Sequence, residues 1–373
     1  MSAPRVVKAE GDPSTRGRTI GRELGELIER SLGFYHSYFD RRGVASAELQ
    51  DLLSPYLYAA EAAFPEYMAT LKGMAEGAMV PVWELFAVNA FEELDPLLTR
   101  EEGTRGFLEQ KEGAPSPALR SRTAERCSSF TVTGPGFTLL GHNEHWIEGD
   151  RGNVAVVMDV PDSGRAVASP TVVCCLPAVG MNEKRGSQGI QSLRAADERP
   201  GVPRVLVSRH SLESNDRLDA VRRTAIRTRS GGYGHTFAFP GGDAFTIETT
   251  ATRESVLGGP GPHTNHYLDP RLAQLGPEPS EGSLSRYERL LELLEERQPD
   301  TPEAIMEVLA DHKGAPNSVC LHADPNQGDE ASSVLFSMVC DVEAGRMWVA
   351  VGNPCTEAYE EIDLTGAVER GDT

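Results

Sequence analysis

The sequence has no apolar run long enough to cross a bilayer. Its most apolar stretch, 168–181, is broken by Pro170 and Pro177 and falls short of the roughly 20 residues a spanning helix needs. The first thirty residues leave no room for the apolar core of a secretory signal, because Arg5, Lys8, Glu10, Asp12, Arg16, Arg18 and Glu23 interrupt them. A cytoplasmic chain is the expectation. Cysteine is also scarce. Cys127, Cys174, Cys175, Cys320, Cys340 and Cys355 are too few for a disulfide scaffold in 373 residues, and without Cys-x-x-Cys spacing they form no zinc motif. Each is expected as a free thiol, and no metal site is expected. Basic residues are outnumbered 36 to 56, for a net charge of −20. Non-specific nucleic-acid affinity comes from Lys and Arg displacing phosphate counterions, so that class is excluded, and the same field repels an anionic membrane. What is present, 39% hydrophobic and 25% charged residues, is the composition of a folded globular chain with a sizeable core.

Apolar residues at three- and four-residue steps, such as Ile20, Leu24, Leu27, Ile28 and Leu32, predict helices through 14–95. The pattern dissolves into Glu, Arg, Gly, Pro and Ser over 99–126, which reads as a linker. Beyond it, short runs predict strands at 129–133, 137–141, 154–160, 171–176, 236–239, 244–248, 334–340 and 347–351. Helices are expected at 218–227, 285–297 and 301–312. Thr301 caps the last, with Pro302 behind it and Gly314 beyond its end, while Ser285 and Glu288 read as a capping box. The arginines 217, 222, 223, 227 and 229 read as a solvated helix face. Three units follow: a helical segment 1–98, a linker 99–126, and a strand-rich core 127–373. This is an α+β layered architecture.

Cys127 stands where the linker meets the first strand. Gly134-Pro135-Gly136 predicts a hairpin turn that returns through Gly141-His142-Asn143-Glu144-His145-Trp146. With a loop of residues 134–136, Cys127 lies opposite Asn143 and shares its face with His145, while His142 and Glu144 take the other face. A loop one residue different places Glu144 opposite Cys127 instead. In either register a thiol faces polar groups at the head of a hairpin, the general form of an activated nucleophile; the plain alternative is a packed thiol. His142 and His145, three apart on a strand, point to opposite faces and so make no metal pair.

Several motifs together resemble the acyl-coenzyme A:isopenicillin N acyltransferase family of N-terminal-nucleophile hydrolases. They are Gly73-Met74-Ala75-Glu76-Gly77 with Asn89 and Glu93, Cys127-Ser128-Ser129-Phe130, Gly141-His142-Asn143, Val179-Gly180-Met181-Asn182, Arg199-Pro200-Gly201-Val202-Pro203, Thr264-Asn265-His266-Tyr267, Ser285-Arg286, and Val349-Ala350-Val351-Gly352-Asn353-Pro354-Cys355. The resemblance implies a four-layer αββα sandwich with an added N-terminal helical segment. It also implies a precursor that cuts itself between Arg126 and Cys127 through an N-to-S acyl shift. The new α-amine, with a pKa near 8, then serves as general base for its own thiol. The product would be an amidohydrolase or acyltransferase working through a thioester acyl-enzyme.

The same resemblance makes Asn265 part of an oxyanion hole and gives Cys127, Asn143 and His145 catalytic places. Arg286, Tyr233 and His235 fall near the family's pocket, as substrate-binding residues. No cofactor is implied, with acyl-coenzyme A a candidate substrate. The partners are a small acyl amide or thioester and the chain's own cleaved fragments, with a homo-oligomer a candidate assembly. The chain departs from the family pattern in Arg126, where Gly is usual before the cut, and in His145, where the best-known members carry Asp. A third departure, the stretch Ser230-Gly231-Gly232-Tyr233-Gly234-His235-Thr236, replaces a Ser/Asn-containing segment, so substrate choice is expected to differ. Two competing functions are an uncut, degenerate member that binds a small molecule or partner, and an internal thiol protease pairing Cys127 with His263 or His266.

Overall fold

A computed structural model describes residues 4–98 and 127–364. The linker 99–126, with Arg126 at its end, lies outside the described residues. The chain opens with β1 (Val6–Gly11) and five helices, α1 (Pro13–Arg41), α2 (Ser46–Ala63), α3 (Pro65–Ala78), α4 (Val82–Asn89) and α5 (Phe91–Leu98). After Cys127 come β2 (Ser128–Gly134), β3 (Phe137–Ile147), β4 (Val154–Pro161), β5 (Val167–Val172), β6 (Gly180–Asn182) and β7 (Ser187–Leu193). Helices α6 (Arg204–Leu212) and α7 (Arg217–Thr224) precede β8 (Gly232–Phe239), β9 (Asp243–Thr249), β10 (Glu254–Gly258) and β11 (Pro262–His263). The rest is α8 (Pro270–Ala273), α9 (Glu281–Arg297), α10 (Pro302–Leu309), β12 (Ser332–Asp341), β13 (Arg346–Val351) and β14 (Glu360–Ile362).

The strands form two sheets, an eight-stranded one in the order β1-β4-β5-β6-β7-β8-β9-β10 and a six-stranded one in the order β11-β2-β3-β12-β13-β14. Strands β2 and β3 face β7 and β8 across the sandwich; α1, α6 and α7 cover the outside of the first sheet, and α9 and α10 the outside of the second. The result is the expected α+β arrangement of four layers with N-terminal helices, because each sheet buries one face on its partner and the other on helices.

Local chemistry accounts for the element ends. Asp12 accepts hydrogen bonds from the backbone N–H groups of Ser14 and Thr15 with Pro13 behind it, a cap that contributes about 1 kcal/mol to α1. Thr301 caps α10 as expected. Helix α9, however, starts four residues before the expected Ser285: Ser280 accepts from Ser283 N–H, so Ser285 is not its cap. The arginine run is not one solvated face either. Arg229 is buried, donating to Thr250 O and Arg253 O and pairing with Glu254.

Strand β3 shows how the sandwich places its polar centre. Leu139 and Gly141 face α10, where Leu139 joins Phe130, Ile305 and Leu309 in an apolar cluster. Leu140, on the opposite face, packs between the sheets with Met158, Met338 and Val349. Continuing along that inter-sheet face, alternation reaches His142 and then Glu144. The interior thus changes from apolar to polar toward the end of the sandwich where Cys127 lies.

Candidate active site

The register of the hairpin decides what Cys127 meets. Ser128 pairs with Asn143 and Gly134 with Phe137. Only Pro135 and Gly136 turn the chain, and Gly136 takes φ 83°, the left-handed value that a Pro-Gly type II turn requires. Glu144, not Asn143, is therefore level with Cys127. The Cys127 thiol donates to Glu144 Oε1 at 3.1 Å. Glu144 Oε2 in turn lies 3.0 Å from His142 Nε2, and His142 Nδ1 lies 2.8 Å from the Ser129 hydroxyl. Gln191 donates to Ser129 from the facing sheet. With Glu144 ionised, the self-consistent tautomer has His142 donating from Nε2 and accepting at Nδ1. Burial pushes the Cys127 thiol up, and the Glu144 charge adds to the rise, so the resting sulfur keeps its proton.

Asn143 and His145 sit on the other face. The Asn143 side chain donates to the carbonyls of Leu309 and Val319, both at 3.0 Å, and His145 Nε2 meets Val319 O at 3.2 Å. Only the His145 carbonyl approaches the thiol, at 3.6 Å. The expected common face for Cys127, Asn143 and His145 is corrected: a one-residue change of register exchanges the faces.

Arg286 reaches the backbone of Cys127, and Asn265 reaches Arg286. Because α9 begins at Glu281, Arg286 lies in its second turn and points inward, fully buried. Its guanidinium donates to Cys127 O at 2.7 Å, Ser128 Oγ at 2.8 Å and Asn265 Oδ1 at 3.0 Å. Asn265 Nδ2 donates to Ser192 O at 3.1 Å. Arg286 thus ties the backbone of Cys127 to the side chain of Asn265. His263 is held by Glu248 at 2.9 Å and His266 by Ser283 at 2.9 Å, and neither lines the cavity at Cys127.

That cavity has Cys127, Glu144, Val172, Ile190 and Phe336 among its walls, with Glu92 from α5 and Tyr233 from β8 as polar groups. Tyr233 stands beside Glu92 in this cavity, and Glu92 Oε2 is buried with no hydrogen-bond partner. Burial drives the Glu92 carboxyl up to about 7, against the pull of Arg204 and Arg194. His235 does not line the cavity, although its ring packs edge-on against Tyr233 with centroids 5.7 Å apart; its Nε2 meets Ser208 Oγ at 3.1 Å, and burial lowers its pKa to about 3. Arg126 lies outside the described residues. The site residues not anticipated are Glu92, His142 and Ser129, with Glu144 expected only in the second register. A two-residue Pro-Gly turn would have pointed to Glu144, His142 and Ser129; nothing in an acidic helical stretch marks Glu92.

Residues 132–356 match the family described as acyl-coenzyme A:6-aminopenicillanic acid acyl-transferase. The chain belongs to this family. It is 25% identical over 362 residues to the acyl-coenzyme A:6-aminopenicillanic-acid-acyltransferase 40 kDa form of Emericella nidulans, covering 93% of this chain and 92% of the relative. Similar solved structures include penicillin V acylase from Agrobacterium tumefaciens, with a TM-score of 0.45, 16% identity, and coverage of 64% of this chain and 86% of that one. Another is a variant of conjugated bile acid hydrolase from Clostridium perfringens, with a TM-score of 0.42, 13% identity, and coverage of 64% and 93%. Within this acyltransferase family the matched stretch takes in Glu144, Tyr233, Asn265 and Arg286, and Cys127 lies just before it.

Proposed function

We propose that this family member is a Cys127-dependent amidohydrolase or acyltransferase acting on a small acyl amide or thioester. The observation that carries the reading is the thiol donating to Glu144 at 3.1 Å at the wall of a cavity, with the Cys127 carbonyl held by Arg286. Attack of the sulfur on the substrate carbonyl forms a thioester and releases the amine or thiol; water or a second amine then takes the acyl group. An amide carries two N–H protons, and the one on Asn265 not given to Ser192 O would stabilise the oxyanion. The apolar wall suits an acyl chain, and Glu92 Oε2 suits a hydrogen-bond donor on the substrate.

The proton acceptor for Cys127 divides the proposal in two. Processing between Arg126 and Cys127 would free an α-amine to act as base. The contact with Glu144 supports a second route, in which the carboxylate takes the proton in an uncut chain and His142 buffers its charge.

Intact mass and N-terminal sequencing of an active preparation separate the routes, together with turnover of a panel of acyl amides and acyl-coenzyme A thioesters followed by mass spectrometry. Cys127→Ala is expected to abolish turnover and any cutting, and activity equal to wild type would remove the assignment. Glu144→Gln is expected to lower kcat by roughly 100-fold if Glu144 is the base. It should cost far less if a new amine at Cys127 does that work.

A further inference from the structure

Away from the cavity, His312 and His322, Cys320 and Cys355 converge from two loops, the one between α10 and β12 and the one after β13. Their four ligand atoms all lie within 4.8 Å of one another. His322 Nε2 is 3.0 Å from His312 Nε2, 3.3 Å from Cys355 Sγ and 3.8 Å from Cys320 Sγ. A ring nitrogen carries either one proton or one lone pair, so it cannot satisfy three partners by hydrogen bonding. A cation at the centre can satisfy all four groups. Tetrahedral zinc, with bonds of about 2.0–2.3 Å, sets its ligands roughly 3.3–3.8 Å apart, the scale of the spacings found here.

A supporting shell is also in place. Asn353 Nδ2 donates to Cys320 Sγ at 3.6 Å and to Leu321 O at 2.7 Å, and its Oδ1 accepts from Arg151 at 2.9 Å. Amide N–H groups aimed at sulfur are what a metal-bound thiolate takes from its surroundings.

We propose that His312, Cys320, His322 and Cys355 form a structural site for one zinc-type divalent cation. Binding exchanges the two thiol protons, which leave to solvent, for one dication, and the site is then neutral. Two sulfurs and two imidazoles select zinc over harder cations, and four protein ligands leave no open position for substrate, so the role is structural. The clamp would pin the loop whose Val319 carbonyl receives Asn143 and His145 from β3. The ten-, two- and thirty-three-residue separations match no sequence motif, because Cys355 is supplied by a different loop.

Full-length chain purified under reducing conditions and reconstituted with zinc should retain about one equivalent by elemental mass spectrometry. With cobalt(II) in its place, the protein should show thiolate-to-metal charge transfer and the strong ligand-field absorption of a tetrahedral site. Cys355→Ser and His312→Ala alter exposed positions and so spare the core; each should weaken affinity by roughly tenfold or more. Three results would overturn the proposal: no tetrahedral cobalt spectrum from folded wild type, a Cys320–Cys355 disulfide in reduced preparations, or undiminished binding by the double variant.

Discussion

Cys127 and Glu92 face one cavity with opposite needs: in the proposed reaction the thiol must lose its proton, while burial makes the carboxyl keep one. Burial raises the Glu92 carboxyl from an ordinary 4.5 to about 7. The folded chain therefore holds a proton on Glu92 at pH values where the unfolded chain has released it. The stabilisation this supplies is fully present below pH 4.5 and is lost as pH rises through about 7. Its ceiling is roughly 3 kcal/mol. Denaturant midpoints of wild type and Glu92→Gln, measured from pH 4 to 8, should diverge, with wild type losing stability relative to the variant as pH rises. Parallel profiles would show that Glu92 titrates as an ordinary carboxyl. A substrate that donates a hydrogen bond to Glu92 should in addition show a raised KM in the variant with kcat little changed.

At the scale of elements, α1 and α3 cross backbone to backbone. A Cβ on Gly73 would stand 2.4 Å from Ser14 O, and one on Gly17 would stand 2.1 Å from Thr70 O. This contact explains the Gly73-Met74-Ala75-Glu76-Gly77 motif: its glycines are needed for packing and not for chemistry. Gly73→Ala should lower stability by about 1–3 kcal/mol in urea titrations. Gly25→Ala, on the same α1 where a Cβ meets nothing within 4 Å, should raise it by about 0.5–1 kcal/mol. The same elements show what was legible beforehand. Periodicity exposed α1 to α4 because each carries an apolar stripe, and short apolar or alternating runs exposed β4, β8, β9, β12 and β13. Strand β1 escaped because it is a six-residue edge, half exposed, that pairs only with β4. The site was half legible. Cys127, Asn265 and Arg286 came together, but the faces of β3 depended on whether Gly134 belonged to the turn or to the ladder. Side-chain period two turns that single residue into a full exchange of partners. Helix α9 failed similarly: serine at 280, 283 and 285 offers several possible caps, and only packing selects Ser280.

For the molecule as a whole, the N-terminal part is built into the sandwich. Strand β1 extends the first sheet, running parallel to β4, and α1 covers that sheet from outside. Beneath α1 the buried Asp159 carboxylate takes Arg16 at 2.5 Å and Arg209 of α6 at 2.7 Å. Breaking such a buried pair by removing one member costs about 3–5 kcal/mol, because the remaining charge stays unpaired. On this side of the fold the part before Cys127 and the part after it share one sheet, one ion cluster and one apolar core.

That shared construction bears on the molecularity of unfolding. An uncut chain unfolds in a first-order process whose midpoint does not depend on how much protein is in the tube. A chain cut before Cys127 keeps the same contacts but becomes a heterodimer, and its folded state is then subject to mass action. Denaturation of the processed protein at two concentrations a hundredfold apart should show the dilute sample unfolding earlier, while uncut Cys127→Ala shows coincident curves. A cut made for chemistry would thus hand the stability of the fold to the concentration of its two pieces.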